Sequence, residues 1–188
     1  MAEPILGRHI LVTGGSCSGK SKFAEEQAAS LGDPVVYLAT AQALDPEMEE
    51  RIALHRKRRP ADWLTVEAPL DVDLILPRYN DGYTVLLDCL TMYVSNLYFE
   101  LEANAAAEVL ETKLRQKVEA LALAVRTSRA NLIIVTNEIG WGVVPDNALA
   151  RRFRDLAGWA NQVLASACNE AYLIVSGIPV RIKGGVNV

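Results

Sequence analysis

The amino-acid sequence predicts an α/β fold in which a mainly parallel sheet is flanked by helices. Short apolar runs alternate with longer segments of helical periodicity, a pattern typical of repeated β-α units. The first apolar run leads directly into a glycine-rich loop and a helix-like segment. The chain of 188 residues has the length of one domain, and no repeat, low-complexity tract or linker divides it. We therefore expect a single domain over 1–188.

The first predicted strand, 9–13, is followed by a loop with a phosphate-binding motif. Residues 14–21 read Gly-Gly-Ser-Cys-Ser-Gly-Lys-Ser and fit G-x-x-x-x-G-K-[ST] at every fixed position. Glycines let successive backbone N–H groups point at phosphate oxygens, and the following helix adds its positive dipole end. We expect Lys20 to reach the β- and γ-phosphates and the Ser21 hydroxyl to bind Mg²⁺. An ordinary glycine turn is the alternative, but the full motif favours a phosphate-loop (P-loop) NTPase fold.

The segment after the loop predicts a helix that ends near Gly32, followed by a buried strand at 35–39. This strand runs into Thr40 and Ala41. These residues lie beyond the carboxyl end of a parallel strand, where open α/β sheets bind their ligands.

The next helix is predicted between Asp45 and Pro60. Asp45 is a good capping residue, Pro46 suits the first helical position, and Pro60 ends the helix near residue 59. The second half of the helix is basic, and the helical spacing places Arg51 and His55 on one face together with Arg58 or Arg59.

The apolar run 83–88 ends in Asp88. An apolar strand that ends in a carboxylate, downstream of a phosphate loop, is the Walker B pattern, and it predicts a role for Asp88 at Mg²⁺ or nucleotide. An aspartate that merely caps the strand end is the alternative. The helical segment 106–126 then carries an apolar stripe that we interpret as core: Leu110, Leu114, Val118, Leu121 and Val125.

A further buried strand at 131–135 delivers residues 136–138 to the same edge of the sheet. Asp146 or Asn147 is expected to cap the next helix. Its predicted core face consists of Leu149, Phe153, Leu156, Ala160, Val163 and Leu164. The chain continues with a strand at 171–175 and a short extended piece at 180–182.

Composition argues against several classes of partner. The net charge is −4, so nothing global favours nucleic acid or an anionic membrane, and no uncharged run is long enough to span a membrane. Residues 1–4 lack the basic start of a signal peptide. The three cysteines, Cys17, Cys89 and Cys168, form no C-x-x-C pair and suggest reduced thiols. We therefore expect a cytoplasmic protein without a membrane span or a nucleic-acid partner.

His55 is the residue that distinguishes one phosphate-loop activity from another. Among so many cations it could simply belong to a solvated helix face. A neutral imidazole is also a competent nucleophile toward phosphorus, and the surrounding cations would stabilise charge on the transferring phosphoryl oxygens. Hydrolytic NTPases need no such histidine.

Several segments together resemble one family, the bifunctional adenosylcobinamide kinase / adenosylcobinamide-phosphate guanylyltransferases of coenzyme B12 (cobalamin) biosynthesis. The similarity covers nearly the whole chain and depends on the order and spacing of its motifs. The segments are 13–21, 51–55, 59–63, 87–91 with 95–97, 135–140, 152–158 and 175–178.

This resemblance implies a two-step enzyme. ATP or GTP phosphorylates the aminopropanol hydroxyl of adenosylcobinamide. GTP then guanylylates a histidine with loss of pyrophosphate, and the GMP passes to adenosylcobinamide phosphate to give adenosylcobinamide-GDP. The family histidine corresponds to His55, which would act with Lys20 in catalysis. The family fold is similar to RecA-type P-loop proteins, and the family implies a homotrimer.

The resemblance also implies the nucleotide contacts. These are Gly14, Gly15, Ser16, Cys17, Ser18, Gly19, Lys20, Ser21, Ala39, Thr40, Ala41, Arg56, Lys57, Arg58, Arg59, Glu67 and Asp88, with Mg²⁺ expected at Ser21 and Asp88.

The sequence departs from the family pattern at two positions. Family members often carry arginine where this chain has Cys17, so one phosphate contact of the loop is either absent or supplied by a residue elsewhere. Some carry a second histidine where this chain has Leu54, so His55 is the unambiguous nucleophile here.

Two other functions stay open at this stage. One is a simple P-loop kinase of a small alcohol, in which His55 is structural and GTP labels no residue. The other is a RecA-like nucleotide-sensing ATPase that acts through partners.

Overall fold

The computed structural model describes residues 6–32, 34–104 and 107–184. Residues 1–4, which lack the basic start of a signal peptide, lie outside the described residues. The strands are β1 (His9–Gly14), β2 (Val35–Ala39), β3 (Leu64–Glu67), β4 (Thr84–Asp88), β5 (Asn131–Val135), β6 (Glu170–Val175) and β7 (Ile178–Lys183). The helices are α1 (Lys20–Ser30), α2 (Pro46–Arg58), α3 (Val72–Ile75), α4 (Leu90–Asn104), α5 (Ala107–Thr127) and α6 (Ala148–Ala167), with a 3₁₀ turn at Leu76–Arg78.

Within the described ranges the strands form one sheet in the order β3-β2-β4-β5-β1-β6-β7. Every neighbouring pair is parallel except β6 and β7, which are antiparallel. Strand β5 lies between β1 and β4, and its Val135 is in register with both Val12 and Asp88. The carboxyl ends of β1, β4 and β5 therefore meet at one edge, as predicted for an α/β protein.

The central strands β1, β2, β4 and β5 are largely buried and apolar, because helices cover both faces of the sheet there. On one face Ile10 and Val12 pack with Ala24 and Ala28 of α1. On the other face Leu11 joins a larger core to which α4, α5 and α6 contribute. The predicted α5 stripe is confirmed as core, since all five of its residues are at most 2% exposed.

Helices α2 and α6 begin at the residues that their side-chain caps specify. The Asp45 carboxylate accepts a hydrogen bond of 2.8 Å from the Met48 N–H, and Pro46 is the first helical residue of α2. Asn147, rather than Asp146, caps α6, because its side chain accepts from the Ala150 N–H at 2.7 Å. None of the helices in the described ranges combines the length and apolarity needed to cross a lipid bilayer.

One predicted core position of α6 is wrong. Leu149 is 44% exposed, whereas Leu156, Ala160 and Leu164 are buried. Leu149 is the second residue of the helix, and it lies in the first turn, before the first residue of α6 that is buried against the core.

Candidate nucleotide-binding and active site

The phosphate loop joins β1 to α1 in a shape that requires glycine. Gly19 has φ +98°, and a Cβ there would lie 3.2 Å from the Gly177 Cα. Gly14 has φ +153°, and a Cβ there would lie 2.5 Å from the Ile174 carbonyl oxygen. The turn between β6 and β7 supports the loop from behind, since the Gly177 N–H donates to the Ser18 carbonyl at 2.8 Å.

The loop holds polar groups that are poorly satisfied without an anion. The Lys20 ammonium is turned back on the loop and donates to the Gly15 carbonyl at 2.6 Å. Burial lowers the pKa of Lys20, although the neighbouring Cys89, Asp88 and Cys17 oppose this shift. The Ser18 hydroxyl oxygen is buried and has no hydrogen-bond partner among the residues that the structure describes. Such groups fit a site that receives phosphate oxygens.

A cavity of roughly 630 Å³ opens beside the loop and collects most of the predicted site. The loop residues that line it are Ser16, Cys17, Gly19, Lys20 and Ser21. The predicted residues from other elements that line it are Ala39, Ala41, His55, Arg58, Arg59 and Asp88.

The other predicted contacts lie elsewhere. Gly14, Gly15 and Ser18 shape the loop without lining the cavity. Thr40 is completely buried beneath the site: its hydroxyl accepts from the Cys89 N–H and donates to the Cys89 carbonyl, both at 2.8 Å. Arg56, Lys57 and Glu67 are exposed and outside the cavity lining.

Helix α2 covers the cavity like a lid, and none of its residues is buried. The face that the sequence predicted does turn inward, because Arg51, Ile52, His55, Arg58 and Arg59 all line the cavity. Arg56 and Lys57 point away because they occupy the opposite face of the same helix.

His55 and Asp88 meet across the cavity. His55 Nδ1 is buried, has no hydrogen-bond partner within the described ranges, and lies 3.9 Å from Asp88 Oδ2. The same carboxylate oxygen accepts a hydrogen bond of 2.5 Å from the Tyr37 hydroxyl. Burial, followed by the charge and hydrogen bond of Asp88, raises the pKa of Tyr37, so this hydroxyl keeps its proton and acts as a donor.

Arg58 and Arg59 hold the C-terminal end of α2 over the site. The Arg59 guanidinium stacks on the Tyr37 ring at 3.6 Å from the ring centroid. It also donates to the His55 carbonyl at 3.1 Å and to the Thr65 hydroxyl at 3.2 Å. Arg58 lies 3.5 Å from the Glu25 carboxylate of α1. In the basic run Arg58 and Arg59 therefore hold α2 in place, whereas Arg56 and Lys57 are exposed to solvent.

The oxygen donors suit a magnesium ion that arrives with a nucleotide. The Ser21 hydroxyl and the Asp88 carboxylate both line the cavity. Among the described residues no group of three or more His, Cys, Asp or Glu could hold a metal. Mg²⁺ typically takes one or two protein oxygens and completes its shell with phosphate and water, so this donor set fits it.

Sequence reasoning missed several lining residues, among them Tyr37 and Asn137. Tyr37 looked like one more apolar residue of a buried strand. Asn137 is the second residue after β5, and this position at the ligand-binding edge of the sheet could have identified it as a site residue.

The fold resembles that of larger ATPases. It matches an ATPase from the type III secretion system of pathogenic bacteria with a TM-score of 0.59 and 11% identity, over 89% of this chain and 51% of that one. It matches the ATPase EscN of the enteropathogenic E. coli type III secretion system with a TM-score of 0.54 and 13% identity, over 90% of this chain and 43% of that one. The chain thus spans about half the length of these ATPases. This likeness concerns the fold alone and confirms the predicted P-loop NTPase architecture.

Sequence comparison is far more specific. The chain is 45% identical over 182 residues to the bifunctional adenosylcobalamin biosynthesis protein CobU of Escherichia coli K12, covering 93% of this chain and 99% of that protein. It is 42% identical over 175 residues to the protein of the same description, CobP, of Pseudomonas aeruginosa PAO1, covering 93% of this chain and 96% of that protein. The family described as cobinamide kinase / cobinamide phosphate guanyltransferase matches residues 10–182, a range that includes the loop, His55 and Asp88. The chain belongs to this family.

Proposed function

We propose that this chain catalyses both reactions for which its family is named, with adenosylcobinamide as the acceptor. It phosphorylates adenosylcobinamide with ATP or GTP, and it then transfers GMP from GTP to adenosylcobinamide phosphate through a guanylyl-histidine. One observation supports this above the others. A single cavity is lined by a phosphate loop and by a histidine whose Nδ1 faces a carboxylate.

In the kinase step the loop holds the nucleotide phosphates. The aminopropanol hydroxyl oxygen forms a bond to the γ-phosphorus, the bond to the β-phosphate oxygen breaks, and the hydroxyl proton is released. Lys20 stabilises the charge on the transferring group as its ammonium leaves the Gly15 carbonyl for phosphate oxygens. Ser21 and Asp88 would hold Mg²⁺, which neutralises charge on the phosphates when it is bound.

In the guanylyl step His55 attacks the α-phosphorus of GTP. Nδ1 is buried toward Asp88, which leaves Nε2 as the nucleophile. A P–N bond forms, and the bond to pyrophosphate breaks. A phosphate oxygen of adenosylcobinamide phosphate then attacks the same phosphorus, releases His55 and gives adenosylcobinamide-GDP. The Asp88 carboxylate orients the imidazole and stabilises its positive charge during the attack.

The remaining nucleotide contacts belong to this proposal too. Arg58 and Arg59 line the cavity with Ala39 and Ala41, so they suit contacts to phosphate or base. Thr40 acts indirectly, by holding the backbone of Cys89 beside Asp88. Arg56 and Lys57 reach a nucleotide only if α2 turns, and its lack of buried residues supports such a movement. Structures with and without GTP that place α2 identically would refute it. Glu67 is the last residue of β3, outside the cavity lining, and would contact a part of the nucleotide that extends beyond the cavity.

We further propose that one domain carries both steps and that the enzyme is a cytoplasmic homotrimer. Free thiols at Cys17, Cys89 and Cys168 support a reducing compartment. The simple kinase is disfavoured, since it gives no role to the cavity-lining His55. The nucleotide-sensing ATPase is disfavoured by the family of the chain.

The decisive experiment is incubation with α-labelled GTP and Mg²⁺, followed by denaturation. An acid-labile, base-stable protein label that is absent in His55→Ala indicates a phosphoramidate on His55. His55→Ala should retain kinase activity, and Leu54→Ala is a matched control because Leu54 is an exposed neighbour on the same helix. A protein that stays unlabelled and releases no pyrophosphate would reduce the proposal to a kinase.

A further inference from the structure

We infer that Asn137 is a catalytic residue of the kinase step, whose side-chain amide donates a hydrogen bond to the transferring γ-phosphoryl group. This inference rests on the proposed function and adds a residue to it. Asn137 lies outside the phosphate loop and the Walker B strand, and its role follows from its place in the sheet.

Strand alternation brings Asn137 to the cavity side of the sheet. Side chains two residues apart on a strand share a face. Ile133 and Val135 belong to the core cluster on the α1 face, and the same parity carries Asn137 to that face at the end of β5. Asn137 accordingly lines the cavity together with Asp88 and Lys20.

The order of the strands places Asn137 on the loop side of the cavity. Along this edge β2 presents Tyr37, β4 presents Asp88, β5 presents Asn137, and β1 opens the loop. The ladder between β5 and β1 continues past the strand end, where the Glu138 N–H donates to the Gly14 carbonyl at 3.0 Å. His55 approaches from the other direction, over Asp88 of β4.

The backbone of Asn137 is fixed on both sides. Its N–H donates to the Thr91 hydroxyl at 2.9 Å, and its carbonyl accepts from the Asn161 side-chain amide at 3.0 Å. These partners are themselves joined, because the Thr136 hydroxyl donates to Asn161 Oδ1 at 2.6 Å and lies 3.1 Å from the Thr91 hydroxyl. Thr136 is completely buried. A buried polar network of this kind holds one geometry.

The side chain of Asn137, in contrast, has no hydrogen-bond partner among the described residues, and its polar atoms are not enclosed by protein. A fixed backbone and an uncommitted amide are what a preorganised donor requires. The amide is neutral, so it can approach phosphate oxygens without repulsion. Lys20 of the neighbouring loop is expected to bind the β- and γ-phosphates, so the amide of Asn137 is placed to contact the γ-phosphoryl group. The α-phosphorus, in contrast, must be reached by His55 from α2.

The test compares two substitutions and one control in both half-reactions. Asn137→Ala should lower kcat of the kinase step by about 10- to 100-fold with KM for ATP nearly unchanged, because the contact strengthens in the transition state. Asn137→Asp should lower it further, because a carboxylate repels the phosphoryl oxygens. The rate of His55 labelling from GTP should change less than about twofold. Gln116→Ala, which removes an exposed amide from α5, should leave both rates unchanged.

Unchanged kinase kcat in Asn137→Ala would overturn the inference. So would an equal fall of both half-reactions, which a structural role would produce. Thermal denaturation of each variant reports loss of the fold separately. Wild-type kinase activity without His55 labelling would refute the guanylyl step of the proposed function, and the effect of Asn137→Ala on kinase kcat, read with its thermal denaturation, would still test the inference.

Discussion

His55 Nδ1 lies 3.9 Å from Asp88 Oδ2, and none of the described residues forms a hydrogen bond with that ring nitrogen. The carboxylate that the Walker B pattern assigns to magnesium therefore also faces the proposed nucleophile. In the two half-reactions Asp88 would serve different partners from one position. Tyr37, which donates to the same oxygen, is the group that fixes that position.

Tyr37→Phe should slow the labelling of His55 by about 3- to 10-fold, because one hydrogen bond to a charged group contributes about 1.5–3 kcal/mol at most and part of it is retained by rearrangement. The ring stays, so the stacking of Arg59 and the fold should be preserved. Burial beside Asp88 raises the pKa of Tyr37, so the effect should not vary between pH 6 and pH 9. Single-turnover labelling with α-labelled GTP measures it. Tyr83→Phe, at an exposed tyrosine, is the control, and an unchanged rate in Tyr37→Phe would contradict the positioning role.

Lys20→Met should abolish both half-reactions and raise the Tm by about 2–4 °C at pH 7. Burial lowers the pKa of Lys20 below its ordinary 10.5, so the unfolded chain binds this proton more tightly than the folded chain. The destabilisation that Lys20 causes is therefore largest below its lowered pKa, and it disappears as the pH rises toward 10.5.

The Tm advantage of Lys20→Met over wild type should therefore shrink as the pH increases. Scanning calorimetry at several pH values provides the measurement. Lys22→Met is the matched control on the same helix, since Lys22 is mostly exposed and pairs only weakly with Glu26 at 3.9 Å. A Tm advantage that grows with pH would contradict the assignment.

Gly19→Ala should destabilise the protein by about 1–3 kcal/mol and eliminate measurable GTP binding. Gly19 has φ +98°, and its new Cβ would press on the Gly177 backbone. Gly15→Ala is the control in the same loop, because nothing lies within 4 Å of a Cβ at that position. Calorimetric titration with GTP and thermal denaturation distinguish the two variants. Equal behaviour of the two alanines would show that the loop is not held in this shape.

Arg58→Ala should raise KM for GTP by about tenfold, the scale of one charge-assisted hydrogen bond. If α2 keeps this orientation when GTP binds, Arg56→Ala should change KM less than about twofold. Arg58 lines the cavity and Arg56 does not. Steady-state kinetics of pyrophosphate release compares the two. A larger effect in Arg56→Ala would mean that α2 presents its other face to GTP during the reaction.

The parts of the fold that depend on local sequence could be predicted. Buried parallel strands are continuous apolar runs, and α2 begins where Asp45 caps it. The loop motif is contiguous, so its chemistry is visible in eight residues. The outward position of Leu149 depends on where α6 meets the core, which helical periodicity does not specify.

The contacts that organise the site depend on the sheet. Tyr37 and Asp88 are 51 positions apart in the chain, and they meet because β2 and β4 are neighbours with Ala39 opposite Asp88. The hydrogen bonds that fix Asn137 come from α4 and α6. Periodicity did predict which arginines share a face with His55, but the resemblance alone had grouped all four basic residues 56–59.

The hydrogen bond from Gly177 to Ser18 has a consequence for how the protein is made. The phosphate loop leaves the ribosome about 160 residues before the turn that supports it. Strand β1 likewise pairs with β5 and β6, both of which come late. During synthesis β1 therefore remains without paired strands until β5 and β6 have been made. The nascent polypeptide can acquire its nucleotide site only after β6 and the turn that follows it have been synthesised.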